Sequence, residues 1–467
     1  MKSNNLVYKR VISFVLGIIM FLTFSVTPVK ADSSEVKAKI NSLITSFVPN
    51  IVENKVHTLT VSFTHPGIGM TKEMLDNMRD HVRAGDEPWA SAFVQFSEYA
   101  KNKTSPTIRI QANNNDYVNI PSGGYPSIGY YAVRNMAQDA DTAYSAMIMW
   151  YITGNDVYRK NAIGIIRNWS KVQSIGSIYD EQIRVSLGVF KLCFAAEILR
   201  YSTCNTTEYN WTSADTANFQ QFLELTKSKY DRYTHFMNQH GFCTMGYIAS
   251  AIFRNDGEDY TRAVQRTTTN PELSSNLDVT RATNAENRDG SILRQIRAVG
   301  INALTGVKVE PANIQLVEMG RDQGHAYADI GALSTLAMIT ICQKTKVDPV
   351  KGTITTAKNG VNLFKFLDDR ILAGANYLCK YNLGNDVTYI PCYEANEKTY
   401  NNVSLDRGRI DNCIGIVYSY YKYIDKRYNM EVDEDTKYLS EAFGKIYPEG
   451  QSQDFLGDSV LLYTLDK

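Results

Sequence analysis

Glu318-Met319-Gly320-Arg321-Asp322-Gln323-Gly324-His325-Ala326-Tyr327 sets two acids, a guanidinium, an amide, an imidazole and a phenol directly ahead of an apolar run from Ile330 to Cys342. In that run Ile330, Leu333, Ala337 and Ile341 recur at helical spacing, so a buried helix is predicted, entered through a polar loop. Tyr327 lies roughly 200° round a helix from His325, and a continuous helix would therefore separate the two. A loop made pliable by Gly320 and Gly324 would let Arg321, His325 and Tyr327 converge. Amides at the start of the following helix favour an anion, so the expected ligand is acidic.

Outward from this stretch the chain reads as a succession of helices. Thr71 caps one that Gly85 stops, and Pro88 opens the next, Trp89 to Tyr99. Helices are then expected over Met136 to Ile152, Val157 to Val172, Gln182 to Tyr201, 214–229, 243–254, 290–303, 326–344, 357–379, 411–425 and 435–446. Strand alternation is confined to stretches such as His57 to Phe63, and residues 103–128, rich in Asn, Pro, Gly and Ser, read as a surface excursion. The class is mainly α, and paired helices with short turns and no fixed repeat suggest a closed (α/α) toroid rather than an open solenoid.

The chain has 467 residues, with 49 basic and 49 acidic side chains. That balance gives no broad field for nucleic acid or a membrane surface. Lys2, Lys9 and Arg10, the apolar run Val11 to Phe24 and the small-residue site Val29-Lys30-Ala31 read as a secretory signal over 1–31. The expectation is an exported protein whose residues 32–467 form one large domain, a monomer or simple homo-oligomer. Seven cysteines are scattered without C-x-x-C spacing, which reads as core thiols rather than zinc ligands or a disulfide framework, although Cys379 with Cys392 is one conceivable bridge. Asn255-Asp256-Gly257-Glu258-Asp259 lacks the register of a calcium loop. No metal or cofactor is expected.

A second polar constellation, Asn238-Gln239-His240-Gly241, precedes the apolar run Met245 to Phe253, in a chain with only six histidines. Together the two constellations have the residue types for β-elimination from a uronic acid. The C5 proton lies α to a carboxylate and is hardly acidic until fixed donors neutralise that carboxylate's charge. Asn238, His240 and Arg321 are candidates. A base must then take the C5 proton and an acid protonate the departing O4. In glucuronate and mannuronate both lie on one side, so one residue serves twice: Tyr327, with a phenol depressed by neighbouring cations, or His325. Gln323 is a further candidate for substrate contact. Arg294 and Arg297, three apart on the expected helix 290–303, are candidates for binding uronates along the chain, and Tyr381 for stacking on a sugar ring. Tyrosine, present 30 times, suits such faces. Two other readings stay open: an inverting hydrolase using carboxylates among Glu318, Asp322, Glu286 and Asp289, and a non-catalytic glycan-binding protein.

The segments Thr64-His65-Pro66-Gly67 and Glu87-Pro88-Trp89, the helix Ala143 to Gly154 running into Trp169, Glu318 to Tyr327, and Leu363 to Gly384 with Asp369-Arg370 and Lys380-Tyr381-Asn382-Leu383-Gly384 resemble alginate-lyase-like polysaccharide lyases, closest to the bacterial glucuronan lyase branch. The resemblance implies an (α/α) toroid and elimination on a uronate polymer. It places Tyr327 as base and acid, with Arg321 and His325 around it and His240 near the substrate carboxylate. Alginate lyases proper carry N-N-H before an aromatic pair, whereas this chain reads Asn238-Gln239-His240-Gly241-Phe242. Glucuronan is accordingly the first expected substrate and mannuronate-rich alginate the second, with Gln182 as an alternative neutralising amide.

Overall fold

A computed structural model describes residues 33–99, 102, 118–178, 181–232, 237–279, 289–393, 399–452 and 454–465. The expected signal segment and Glu286 lie outside the described residues.

Four long helices form the inner wall. They are α4 (Ile128–Thr153), α6 (Glu181–Arg200), α8 (Asn238–Arg254) and α11 (Gln323–Cys342). Each is buried along most of its length, which is why their sequences are apolar on nearly every face rather than on one stripe. By composition α11 is apolar enough to cross a membrane, yet it is packed inside protein. Around the wall α4 packs on α6, α6 on α8 and α8 on α11, and α11 meets α13 (Ile414–Ser419). From there α13 meets α15 (Ser459–Tyr463), α15 meets α2 (Lys72–Ala84), and α2 returns to α4. That closes the ring.

An outer layer covers it. There α5 (Asp156–Trp169) lies on α4 and α6, α7 (Ser213–Tyr230) on α6 and α8, and α9 (Gly257–Thr268) on α8 and α11. Further round, α12 (Phe366–Asn382) and α14 (Lys437–Ile446) back α11 and α13, while α1 (Ser33–Leu43) and α3 (Trp89–Glu98) back α2. Residues 33–467 are thus one mainly helical unit, an (α/α) toroid. The remaining named helix, α10 (Ile292–Gln295), is a single turn.

The centre of the ring is filled by the chain itself. Gln451 donates to Ser145 Oγ on α4 at 3.3 Å, and Lys191 on α6 donates to the Ser452 carbonyl at 3.0 Å. Phe455 stacks on Phe242 of α8 at 5.4 Å, and the Leu456 amide reaches Thr335 of α11 at 3.4 Å.

The caps read from sequence are present: Thr71 accepts from the Met74 amide, and Gly85 adopts φ 77°. Two expectations are corrected. The strand over His57 to Phe63 is a hairpin, β1 (Asn54–His57) and β2 (Ser62–His65), because Thr58 to Val61 form its turn. The helix over 290–303 is only the turn α10, followed by β5 (Ile296–Ile301), which pairs with β6 (Lys308–Leu316). Ile296, Val299 and Ile301 are β-branched and favour a pleated surface over a helix once a partner strand is available.

Two more short pairs complete the sheets. β3 (Asn119–Ile120) runs parallel to β4 (Ser174–Ile175), so α4 and α6, which follow them, start from the same end of the ring. β7 (Cys392–Tyr393) pairs with β8 (Thr399–Tyr400). All seven cysteines are buried free thiols, including Cys379 and Cys392. Asn255 and Asp256 end α8 and cap α9, and no cluster of metal-ligating side chains occurs among the described residues.

Candidate active site

The polar stretch folds as a 3₁₀ turn, Val317–Gly320, then Arg321, then α11 with Asp322 as its N-cap. Asp322 accepts the His325 backbone amide at 2.8 Å through Oδ1 and the His325 ring Nδ1–H at 2.5 Å through Oδ2. One carboxylate therefore caps the helix and orients the imidazole. A carboxylate accepts only, so the proton sits on Nδ1 and the lone pair of the neutral ring on Nε2. His325 is 38 % exposed and Asp322 34 %. Burial would lift the Asp322 carboxyl, but the His325 ring and amide and the Arg321 charge hold it below its ordinary value.

Because α11 starts at Gln323, His325 and Tyr327 are both helical and point apart, which corrects the expected convergence. Tyr327 is 1 % exposed and its hydroxyl donates to the Arg409 carbonyl at 2.8 Å. Burial pushes its phenol well above the usual range, opposite to the depression expected of a base. Gly320 and Gly324 do not supply left-handed backbone. They make room: a Cβ on Gly320 would lie 2.4 Å from Tyr400 Cβ, and one on Gly324 2.9 Å from Arg409 Nη1.

Beneath the turn, Arg321 donates from Nη1 to Glu318 Oε1 at 3.0 Å, and its Nε stands 3.8 Å from Asp322 Oδ2. The Arg321 side chain is 35 % exposed, whereas Glu318 is buried. Glu318 Oε2 accepts the Asn238 backbone amide, the first of α8, at 3.2 Å. This bond ties the second constellation to the first. It uses Asn238 through its main chain, with the preceding Met237 bent to φ 46°. Beside Asn238, Gln239 Oε1 accepts from Gln182 Nε2 at 3.2 Å, a half-buried amide pair joining the starts of α6 and α8.

Other expected site residues are placed elsewhere. His240 is buried, its Nε2–H donating to the Arg266 carbonyl at 2.9 Å and its Nδ1 lying 3.6 Å from Asp289, so it ties α8 to α9 instead of facing a ligand. Arg294 is sealed in the interior against Asp289 at 3.0 Å and the carbonyls of Thr269, Ser274 and Asn276. Arg297 is equally buried, on β5 rather than on a shared helix, donating to the Arg294 and Tyr393 carbonyls. Burial lowers its guanidinium. Arg294 thus satisfies carbonyls of the segment after α9, and Arg297 one from α10 and one from β7. Tyr381 is buried, donates to the Ser404 carbonyl at 2.7 Å and has Arg407 over one ring face at 4.5 Å, so it does not present a surface for sugar stacking. Gln323 is buried and accepts from Asn382 at 3.0 Å.

Sequence reading passed over Arg409 and gave Gln239, although it lies in the second constellation, no role of its own. The segment 400–411 folds back over the turn, its Ser404 amide on the Met319 carbonyl at 2.8 Å. Arg409 thereby arrives against Gly324 while pairing with Asp411 at 2.9 Å. No spacing in Asp406-Arg407-Gly408-Arg409-Ile410-Asp411 signals that return. The turn thus brings together Arg321, Asp322 and His325, with Arg409 against Gly324 and the Gln182–Gln239 pair next to Asn238, which bonds Glu318.

No family model and no curated protein matches the chain. Among solved structures it is similar to alginate lyase A1-III from Sphingomonas species A1, with 13 % identity and a TM-score of 0.44 over 84 % of this chain and 95 % of that one. Two complexes of variants of that enzyme with tetrasaccharide give 12 % and 11 % identity, TM-scores of 0.43, and 84 % coverage of this chain with 94 % and 95 % of theirs.

Proposed function

We propose that this chain is a polysaccharide lyase that cleaves a uronate polymer by β-elimination, with glucuronan as first substrate and mannuronate-rich alginate as second, and that it acts after export. The observation that carries this reading is the partly exposed His325–Asp322 pair beside the partly exposed Arg321. A base held in one tautomer next to a fixed cation is what abstraction of a proton α to a carboxylate requires.

Arg321, supported by the Gln182 and Gln239 amides, receives the uronate carboxylate and withdraws charge from it. His325 Nε2 takes the C5 proton. The electron pair left on C5 forms the C4=C5 double bond as the C4–O4 bond breaks, and O4 leaves with the proton returned by the imidazolium. Asp322 stabilises the imidazolium in between. Nothing is oxidised and no water is consumed.

Hydrolysis is less well served by the same residues. Inverting hydrolases hold their two carboxyls about 6.5–9.5 Å apart around a water. Here Asp322 is committed to His325, Asp289 to Arg294 and Glu318 to Arg321.

The test is ultraviolet absorbance during incubation with glucuronan, polymannuronate, polyguluronate and a hyaluronan-type polymer. A rising signal from a conjugated double bond on one of them is the expected result. Reducing ends accumulating without that absorbance would transfer the reading to hydrolysis. No turnover, with glycan binding retained, would make it a binding protein.

A further inference from the structure

Below the proposed site lies a carboxyl that the mechanism above does not use. Asp329 stands on α11 one turn beyond His325, is buried, and touches the Glu318 carboxyl. It also accepts a hydrogen bond from Gln295 Nε2 of α10. We propose that Asp329 is a positioning residue of the lyase site: as a neutral acid it gives its proton in a hydrogen bond to Glu318, which holds Glu318 as the anion that aims Arg321 at the substrate carboxylate. This rests on the lyase reading.

Two buried carboxyls in contact need a proton between them, since two charges at that separation repel in a low-dielectric interior. The partners on each side decide which acid keeps it. Glu318 faces two donors, Arg321 Nη1 and the Asn238 amide at the positive start of α8, and both favour its anion. Asp329 faces one neutral amide, Gln295, and the negative Glu318. Burial first and Glu318 second push the Asp329 carboxyl well above its usual range. Burial raises the Glu318 carboxyl as well, while the charges acting on it, His325 and Arg321, come from the same turn and favour its anion. Among the described residues, α8 contributes the Asn238 amide to this pair and α10 the Gln295 amide. The chain Gln295, Asp329, Glu318, Arg321 thus fixes a guanidinium from below. If the pair lost its proton, a second negative charge would draw Arg321 inward and away from a substrate.

The prediction concerns KM more than kcat, because Arg321 binds the carboxylate. Asp329→Asn retains an N–H for Glu318 but has no proton to lose. It should keep kcat/KM within about 3-fold at neutral pH and abolish the rise in KM at alkaline pH that the shared proton predicts for the wild type. Asp329→Ala should raise KM by roughly 10-fold or more at every pH while folding, judged by its melting curve. If Asn and Ala variants behave alike, or if the Asn variant keeps the wild-type alkaline rise, the proposal is overturned.

A readout independent of turnover separates this idea from the lyase reading: carboxyl ¹³C NMR of the wild type against Asp329→Asn. A resonance that stays protonated at neutral pH and vanishes in the variant supports the shared proton even if no polymer is cleaved. Finding Asp329 ionised at neutral pH refutes it even in an active lyase.

Discussion

Two histidine–carboxylate pairs in this molecule have nearly the same bond and different surroundings. His325 Nδ1 meets Asp322 at 2.5 Å on a side chain 38 % exposed, whereas His65 Nδ1 meets Glu197 at 2.8 Å with both side chains buried. His65 also bonds Asn255 through Nε2 at 2.7 Å and stacks on Tyr201, so both of its nitrogens and one ring face are occupied. The first pair holds a partly exposed imidazole in one orientation, as the proposed proton transfer requires. The second joins β2, α6 and the end of α8. Chemistry requires a nitrogen that can reach a substrate; stability requires that none be left over.

The largest effect that would sharpen this contrast is on turnover. His325→Ala should lower kcat by about 10²–10⁴-fold, the range for losing a general base, with a melting temperature close to wild type because the pair is exposed. Near-normal elimination by that variant would end the assignment. In the reverse direction, His65→Ala leaves Glu197 buried without its partner and should destabilise by about 3–5 kcal/mol in denaturant melts, with kcat per folded molecule unchanged. A melt indistinguishable from wild type would break the comparison from that side.

The pairs also respond oppositely to pH. Burial lowers the His65 pKa, but Glu197 and Asn255 outweigh it and raise it above the ordinary value. Its stabilisation is therefore fully present below the unfolded pKa and lost as pH rises through the folded one. Asp322 is depressed, so its contribution is present above the unfolded value and lost as pH falls through the folded pKa.

Glu449 offers a cleaner case of the first sign. Burial at the ring centre lifts it to about 7, despite the Ser459 side chain and amide bonding it. Stability should fall as pH rises from the ordinary carboxylate range through about 7. Glu449→Gln should remove that slope and be on the order of 3 kcal/mol more stable, relative to wild type, at pH 8 than at pH 4. A melting temperature with the same pH slope in both proteins would contradict it.

The smallest expected effect is at Tyr327. Tyr327→Phe removes one hydrogen bond to the Arg409 carbonyl, worth about 1 kcal/mol, and should leave kcat within a few-fold. Loss of turnover as large as that of His325→Ala would restore the phenol as the base.

The sequence by itself determined the helical architecture and the position of its caps. Apolar spacing from Ile330 to Cys342, Thr71 with Gly85, and the absence of sustained alternation are local signals, written by the 3.6-residue period and by backbone sterics. It also marked the turn to which the chemistry is assigned by the proposal, since Arg321, Asp322 and His325 fall within five residues and the turn that presents them is local.

Tertiary structure decided what those residues face. The helix start at Gln323 turned His325 outward and Tyr327 inward. The α10–β5 transition buried Arg294 and Arg297, and the fold-back of 400–411 delivered Arg409. Asp329 became a buried acid against Glu318 only because α8 and α10 close over it. Each of these outcomes depends on which distant backbone arrives with a free carbonyl or amide, and no spacing along the chain encodes that partner.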